Sequence, residues 1–251
     1  MEREELPQAD APDLSLVIPF YNCRSRVGPT VEALTSHLDG MALTWEAVLV
    51  DDGSTDGTAE ALRGRGDDDQ VAVVHLARNR GKGGAVAAGM ARARGRCRIF
   101  TDADLPYRLD AVGACCRAVL DRGYHAAFGN RLLDGSVTHG VATGRRWASR
   151  LVRLVAGTVI GRRDVDTQCG LKAFSAELAD ALFPMLRIDG FLFDVELTLL
   201  LSRAGVPMGF VPVTLVNQDE STVRVLRTGF GTLRDAWRIW RGVAGRSYDV
   251  S

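Results

Sequence analysis

Short, nearly continuous apolar runs alternate along this chain with segments whose apolar residues recur every three or four positions. The first run, Leu14 to Phe20, has the continuity of a strand covered on both faces. A helical pattern comes next in Val27, Val31, Leu34 and Leu38, then a second strand from Trp45 to Val50. The alternation continues with a weak helix from Thr58 to Arg63, a strand from Val71 to Ala77, and a small-residue helix running through Gly95. A strand from Cys97 to Phe100, a helix from about Leu109 to Arg122 and a strand from Tyr124 to Phe128 complete it. This spacing predicts an α/β fold with a mostly parallel sheet and right-handed crossovers. Ligands of such a sheet sit at the carboxyl ends of its strands.

After Gly129-Asn130-Arg131 the rhythm changes. A glycine-rich polar stretch (Asp134 to Gly144) reads as a loop, and a helix carrying Arg145, Arg146, Arg150 and Arg153 leads to the segment Asp164 to Phe174. Two further helices are expected, the second bearing Phe193, Asp194 and Glu196 near its start, then a strand from Met208 to Val216 and a terminal helix from Thr228 to Ala244. No compositional break marks a linker. The reading is therefore one domain over 13–226, with a polar tail at 1–12 and a C-terminal amphipathic helix at 227–245 that belongs to the same domain.

Composition narrows the classes of function. The 31 Lys and Arg balance the 31 Asp and Glu, so no global charge argues for nucleic acid. The five cysteines are odd in number and lack metal-ligand spacing, which points to reduced thiols in a cytoplasmic protein. His37, His75, His125 and His139 are scattered in the same way. The acidic start is not a signal peptide. No run reaches eighteen apolar residues, and Arg153 interrupts the best one, so no membrane span is expected.

The polar clusters fall where the strands end. Asp102 and Asp104 follow an apolar strand one residue apart, which puts both carboxylates on one side. Two acids at a sheet's carboxyl edge suit a hard divalent cation on a diphosphate, and they also suit a plain strand-end turn. Asp51-Asp52 before Gly53 reads either as a turn and helix cap or as a carboxylate for a nucleotide base or ribose. Gly81-Lys82-Gly83 lacks Walker spacing, and Val86 stands where a dinucleotide fingerprint needs its last glycine. Glycine at a helix start still permits close phosphate approach. Lys172 admits a surface role and Glu196 a helix-dipole role.

Taken in order, the clusters are more specific than any one of them. Pro19-Phe-Tyr-Asn22, Asp51-Asp-Gly-Ser54, Asn79-Arg-Gly-Lys-Gly83, Asp102-Ala103-Asp104, Gly129-Asn-Arg131, Asp166 to Lys172 and Phe193 to Glu196 together resemble family 2 glycosyltransferases of the GT-A fold. The nearest likeness is to polyprenyl-phosphate sugar synthases of the dolichyl-phosphate glucosyltransferase and mannosyltransferase type, over roughly residues 14–241.

The resemblance implies a Rossmann-like sheet flanked by helices and a nucleotide-diphosphate sugar donor, UDP-glucose-like or GDP-mannose-like. It places Asp52 on the nucleotide and Pro19 and Tyr21 around the base. It gives Mg2+ or Mn2+ to Asp102 and Asp104, with Lys82 and Ala103 on the donor side. Arg131 and Lys172 are implied at donor or acceptor phosphate, Asp166 as a candidate base, Arg224 over the diphosphate, and Asp194 and Glu196 as outlying site residues. Cys23 and Pro106 depart from the pattern, where Glu and Gln are usual.

Three activities are compatible with these residues. One is inverting transfer to a polyprenyl phosphate, whose anionic acceptor needs arginines more than a base. Another is transfer to a hydroxyl of a soluble acceptor with Asp166 as base. The last is nucleotide binding without turnover. In the terminal helix the aromatics Trp237 and Trp240 lie beside Arg234, Arg238 and Arg241, which suits either docking on the domain or peripheral contact with anionic lipid at the inner face of the membrane.

Overall fold

The computed structural model describes residues 11–66, 69–137, 166, 169–216 and 234–241. Expectations for Arg224, for the basic stretch Arg145 to Arg153, for the first ten residues and for both ends of the terminal helix fall outside the described residues. The order is β1 (Leu14–Phe20), α1 (Arg24–Asp39), β2 (Trp45–Asp51), α2 (Thr58–Arg63), β3 (Val71–His75), α3 (Lys82–Arg92), β4 (Cys97–Phe100), α4 (Asp110–Leu120) and β5 (Ala126–Asn130). Then come β6 (Lys172–Ser175), α5 (Ala176–Leu182), α6 (Phe193–Arg203), β7 (Met208–Pro212) and a helix over 234–241, here α7.

The seven described strands form one sheet in the order β3-β2-β1-β4-β6-β5-β7. β1, β2, β3 and β4 run parallel to their neighbours in this group, and β5 runs parallel to β7. Among these strands β6 alone reverses, pairing antiparallel with both β4 and β5. The sequence pattern passed over β6, because Lys172 and Ser175 bound only two apolar residues and leave no apolar run to read.

The reversal decides where the chemistry gathers. Two antiparallel steps bring β5 back into the direction of β4, so Arg131 leaves the same edge of the sheet as Asp102. Because β6 runs the other way, the residues that precede it, Asp166 to Leu171, arrive at that edge too. One rim therefore receives the ends of β1, β2, β4 and β5 and the start of β6.

Alternation along β1 feeds two cores. Leu14, Leu16, Ile18 and Phe20 pack with α1, α2 and α4 on one face of the sheet, while Val17 joins α3, α5, α6 and Ile239 on the other. Even the polar members of these strands are buried and paired. Ser15 donates to Glu46 Oε1 at 2.6 Å, and Arg94 Nε donates to Glu46 Oε2 at 3.0 Å, as burial of a charge demands. The small residues of α3 let it approach closely: a methyl at Gly89 would collide with Val17.

Candidate active site

The rim is built from the loops that leave each strand. After β2, Asp52 turns inward rather than outward. Its carboxylate accepts hydrogen bonds from Arg80 N (2.7 Å), Gly81 N (2.9 Å) and Asn79 Nδ2 (3.0 Å). Burial pushes the Asp52 carboxyl above its usual range, against the pull of the Arg80 and Gly81 amides. Asp52 therefore holds the Asn79-to-Gly81 loop in place. Gly81 sits at φ +98° just before α3, a conformation that favours glycine, and it lies against the carbonyl of Asp189. Pro19 is half-buried at the end of β1. Tyr21 beyond it is exposed, and Asn22, at φ 46°, ties this turn to Ser54 and Thr55.

After β4 come the two acids. Lys82, at the start of α3, bonds Asp102 Oδ1 at 2.7 Å and stands about 6 Å from the rings of Phe100 and Phe193. Burial works against its charge, but Asp102, then Asp194 and Asp104, outweigh it and hold the ammonium protonated. Asp104 is pushed up by burial and by the charge of Asp102, which Arg26 and Lys82 only partly offset. Ala103 offers its carbonyl to Thr30 Oγ1 at 2.6 Å, which pins the link between the acids.

Two neighbouring carboxylates, one of them raised by the other, fit a divalent cation that would relieve their repulsion. Among the described residues no third His, Cys, Asp or Glu joins them. The other ligands would then be diphosphate oxygens and water, as Mg2+ commonly takes them.

The segment before β6 ties the rim together. Asp166 receives Arg131 through Nε (2.6 Å) and Nη2 (2.8 Å), a two-point pair, and also lies within reach of the Arg131 amide. Burial raises the Asp166 carboxyl, Arg131 more than reverses this, and the group stays ionised below its ordinary range. Cys169 is hydrogen-bonded to Tyr107, a buried phenol pushed well up by burial. Gly170 lies against Asp102 so closely that a methyl there would meet the carboxylate.

The model for "Glycosyl transferase family 2" matches residues 15–183, most of the chain and all of this rim up to the end of α5. The chain belongs to glycosyl transferase family 2. This glycosyltransferase is 30% identical over 245 aligned positions to the dolichyl-phosphate beta-glucosyltransferase of Drosophila melanogaster, covering 91% of this chain and 74% of that one. The same enzyme of Saccharomyces cerevisiae is 30% identical over 230 positions, 83% of this chain and 68% of the other. Among solved structures it resembles glucosyl-3-phosphoglycerate synthase from Mycobacterium tuberculosis in complex with Mn2+, UDP and glucosyl-3-phosphoglycerate. There the TM-score is 0.63 and the identity 18%, over 94% of this chain and 86% of that one. Mannosyl-3-phosphoglycerate synthase from Rubrobacter xylanophilus gives a TM-score of 0.61 at 21% identity, over 94% and 75%. At such identities these structures speak to the fold, which is GT-A.

Not every residue expected at the site of this glycosyltransferase reaches the rim. Lys172 was expected at a phosphate, but its side chain is fully buried. Its ammonium bonds Asp194 Oδ1 and the Cys169 carbonyl (2.7 Å) and lies 5.5 and 5.3 Å from the rings of Phe100 and Phe128. Asp194 is the counter-charge of that lysine rather than a solvent-facing acid. Glu196, also buried and in the first turn of α6, accepts the amides of Arg187 (3.0 Å) and Ile188 (2.9 Å), so it fixes the loop before that helix. Among the described residues of the motif Asp166 to Lys172 and its partner Phe193 to Glu196, Lys172, Asp194 and Glu196 are thus internal struts.

Tyr107 and Gly170 join the rim without having been singled out. For Gly170 the available signal was a glycine inside the motif Asp166 to Lys172; Tyr107 carried none. Asp189 was missed as well. It pairs with Arg80 at 3.1 Å, and its carbonyl accepts the Gly84 amide at 3.2 Å, so the loop before α6 braces the glycine loop before α3.

Proposed function

We propose that this glycosyltransferase moves a sugar from a nucleoside diphosphate donor to a polyprenyl phosphate, with inversion at the anomeric carbon. One observation carries the choice of acceptor. Asp166, the aspartate available as a base, has both oxygens on Arg131, while the Arg131 side chain keeps 31% of its surface exposed at the rim. That arrangement offers a cation and withholds a base. It suits an acceptor that is already an anion, which a lipid phosphate is and a hydroxyl is not.

The donor side is read from the acids. Asp102 and Asp104 would hold a divalent cation against the diphosphate, and the cation would neutralise charge on the departing nucleoside diphosphate. Lys82, already beside Asp102, adds a fixed positive charge to the same place. The Asn79-to-Gly83 loop, braced by Asp52, presents amides and glycines at the start of α3, a setting that accepts phosphate oxygens. Pro19 and Tyr21 border the base. An acceptor phosphate oxygen attacks the anomeric carbon as its bond to the diphosphate breaks, and the electron pair leaves with the nucleoside diphosphate. Direct displacement of this kind inverts the centre. The names of the relatives in Drosophila and yeast support dolichyl phosphate as the acceptor type and glucose as the sugar, and the Mn2+ and UDP of the Mycobacterium synthase support a metal-assisted uridine donor.

The test is a transfer assay with labelled UDP-glucose and GDP-mannose, each with Mg2+ or Mn2+ and a short polyprenyl phosphate. Label is expected in the organic phase with UDP-glucose. Transfer to a soluble hydroxyl acceptor, with no labelled lipid from either donor, would overturn the reading.

A further inference from the structure

The arc of α7 that faces the domain is narrow. Asp235 and Ile239, four residues apart, are buried, and Ala236 packs against the same core. The rest of the helix is exposed. Trp237 and Trp240 stand 52% and 62% open, outside the docked arc, so the apolar half of the wheel does not pack as one face. Arg234, Arg238 and Arg241 are exposed on the adjoining arc, and the Arg241 guanidinium stacks over the Trp237 ring at 4.7 Å.

This corner extends beyond the helix. Asp235 lies directly against Gly190, and the next residue, Phe191, is a third exposed aromatic at 42%. Asp189, on the other side of Gly190, bonds Arg80 in the donor loop and accepts the amide of Gly84 in the first turn of α3. Exposed indole rings beside arginines match the headgroup layer of a bilayer, where rings settle at the interface and cations meet lipid phosphates. A docked protein partner would more often cover such rings with a matching apolar face, and three arginines on the same helix favour a dense anionic surface.

We infer that α7 and the adjacent Phe191 loop form a contact surface for an anionic lipid bilayer. Among the described residues no helix is long and apolar enough to cross a membrane, so this contact lies in the interface. The surface adjoins the donor loop through Gly190 and Asp189, so it would bring the mouth of the site to the plane where a lipid phosphate lies. The inference deepens the polyprenyl-phosphate reading, yet it is measured without donor or acceptor.

The experiment is sedimentation of the full chain with vesicles of phosphatidylcholine and phosphatidylglycerol in equal parts, at low salt. The unaltered protein is expected in the pellet, and in the supernatant when the vesicles are phosphatidylcholine alone. Changing Arg234, Arg238 and Arg241 together to Glu should lower partitioning by at least on the order of a hundredfold, the effect three surface arginines exert at an anionic leaflet. Trp237→Phe with Trp240→Phe supplies a second readout, since bromine-labelled lipid should quench the unaltered protein and lose most of that quenching in this form. Unaltered protein in the supernatant, or a pellet indifferent to the arginine changes, or unchanged quenching would each overturn the inference. Vesicle binding together with transfer to a soluble hydroxyl would leave it standing while removing the lipid acceptor.

Discussion

Replacing Asp166 with Asn separates a base from a brace. In the structure Asp166 is almost wholly buried and bonds two guanidinium nitrogens of Arg131 at 2.6 and 2.8 Å. Asn keeps one acceptor and turns an amide group toward the other nitrogen, so Arg131 loses one bond and meets a donor. Removing one partner of a buried ion pair costs about 3–5 kcal/mol. Arg131 is partly open to solvent, which takes up some of its charge and lowers the expected coupling to about 2–3 kcal/mol. If Arg131 acts only when held in place, that energy appears as a loss of roughly 30- to 150-fold in kcat/KM.

The assay is a double-mutant cycle on transfer from UDP-glucose. Asp166→Asn, Arg131→Gln and the double variant should fall to about the same rate, because the pair works as a unit. The pH profile adds a second check. The Asp166 carboxyl is held below its ordinary value, so any acid limb from it lies below about pH 4. Its contribution to stability is complete above the unfolded pKa and is lost as pH falls through the lower folded one. A loss of about a thousandfold or more for Asp166→Asn, with Arg131→Gln costing little and the two effects multiplying, would refute the brace and restore Asp166 as a base.

Asp104 is raised by burial and by Asp102, so the folded, metal-free protein is less stable once pH climbs past the ordinary aspartate value. Asp104→Asn should therefore raise the melting temperature in EDTA while removing both activity and the stabilisation that Mg2+ or Mn2+ gives the parent; a retained metal response would show that the acids do not share a cation. Lys172→Met should destabilise the fold by about 3–5 kcal/mol in urea titration by leaving Asp194 buried and unpaired, and adding Asp194→Leu should recover much of that loss. If instead Lys172→Met melts normally and loses donor affinity, the buried position assigned to Lys172 is wrong. Gly170→Ala should fold yet bind metal weakly, since the added methyl meets the Asp102 carboxylate; isothermal titration with Mn2+ reads this directly.

Much of the molecule is legible in the sequence alone. The apolar runs predicted β1, β2 and β4 to within a residue, because strands covered on both faces leave a continuous hydrophobic signature. The helix from Thr58 to Arg63 matches its expected limits, and the polar clusters fall at the carboxyl ends as a parallel sheet requires. The ordered motifs sufficed for the family, because they record which residues stand at strand ends, a local property of the chain.

What the chain could not state by itself is which of those polar residues look outward. Lys172 and Arg131 are both cations in glycine-containing motifs, yet one sits among Phe100, Phe128 and Asp194 and the other at the rim with Asp166. The difference arises from β6, whose polar ends, Lys172 and Ser175, leave no apolar run to announce it, and whose reversed direction sends Lys172 into the sheet and the residues before it to the edge. Glu196 likewise reads as a site acid until the Arg187 and Ile188 amides close around it, and Asp52 carries the Asn79-to-Gly81 loop, a task its motif does not announce. Burial and partnership are set by elements far apart in sequence, and a carboxylate's role is fixed by whichever donors the fold brings to it. The sequence determined the strand ends and the inventory of charges there; only the packing of the sheet decided which charges were paired inside the protein and which were left for a ligand.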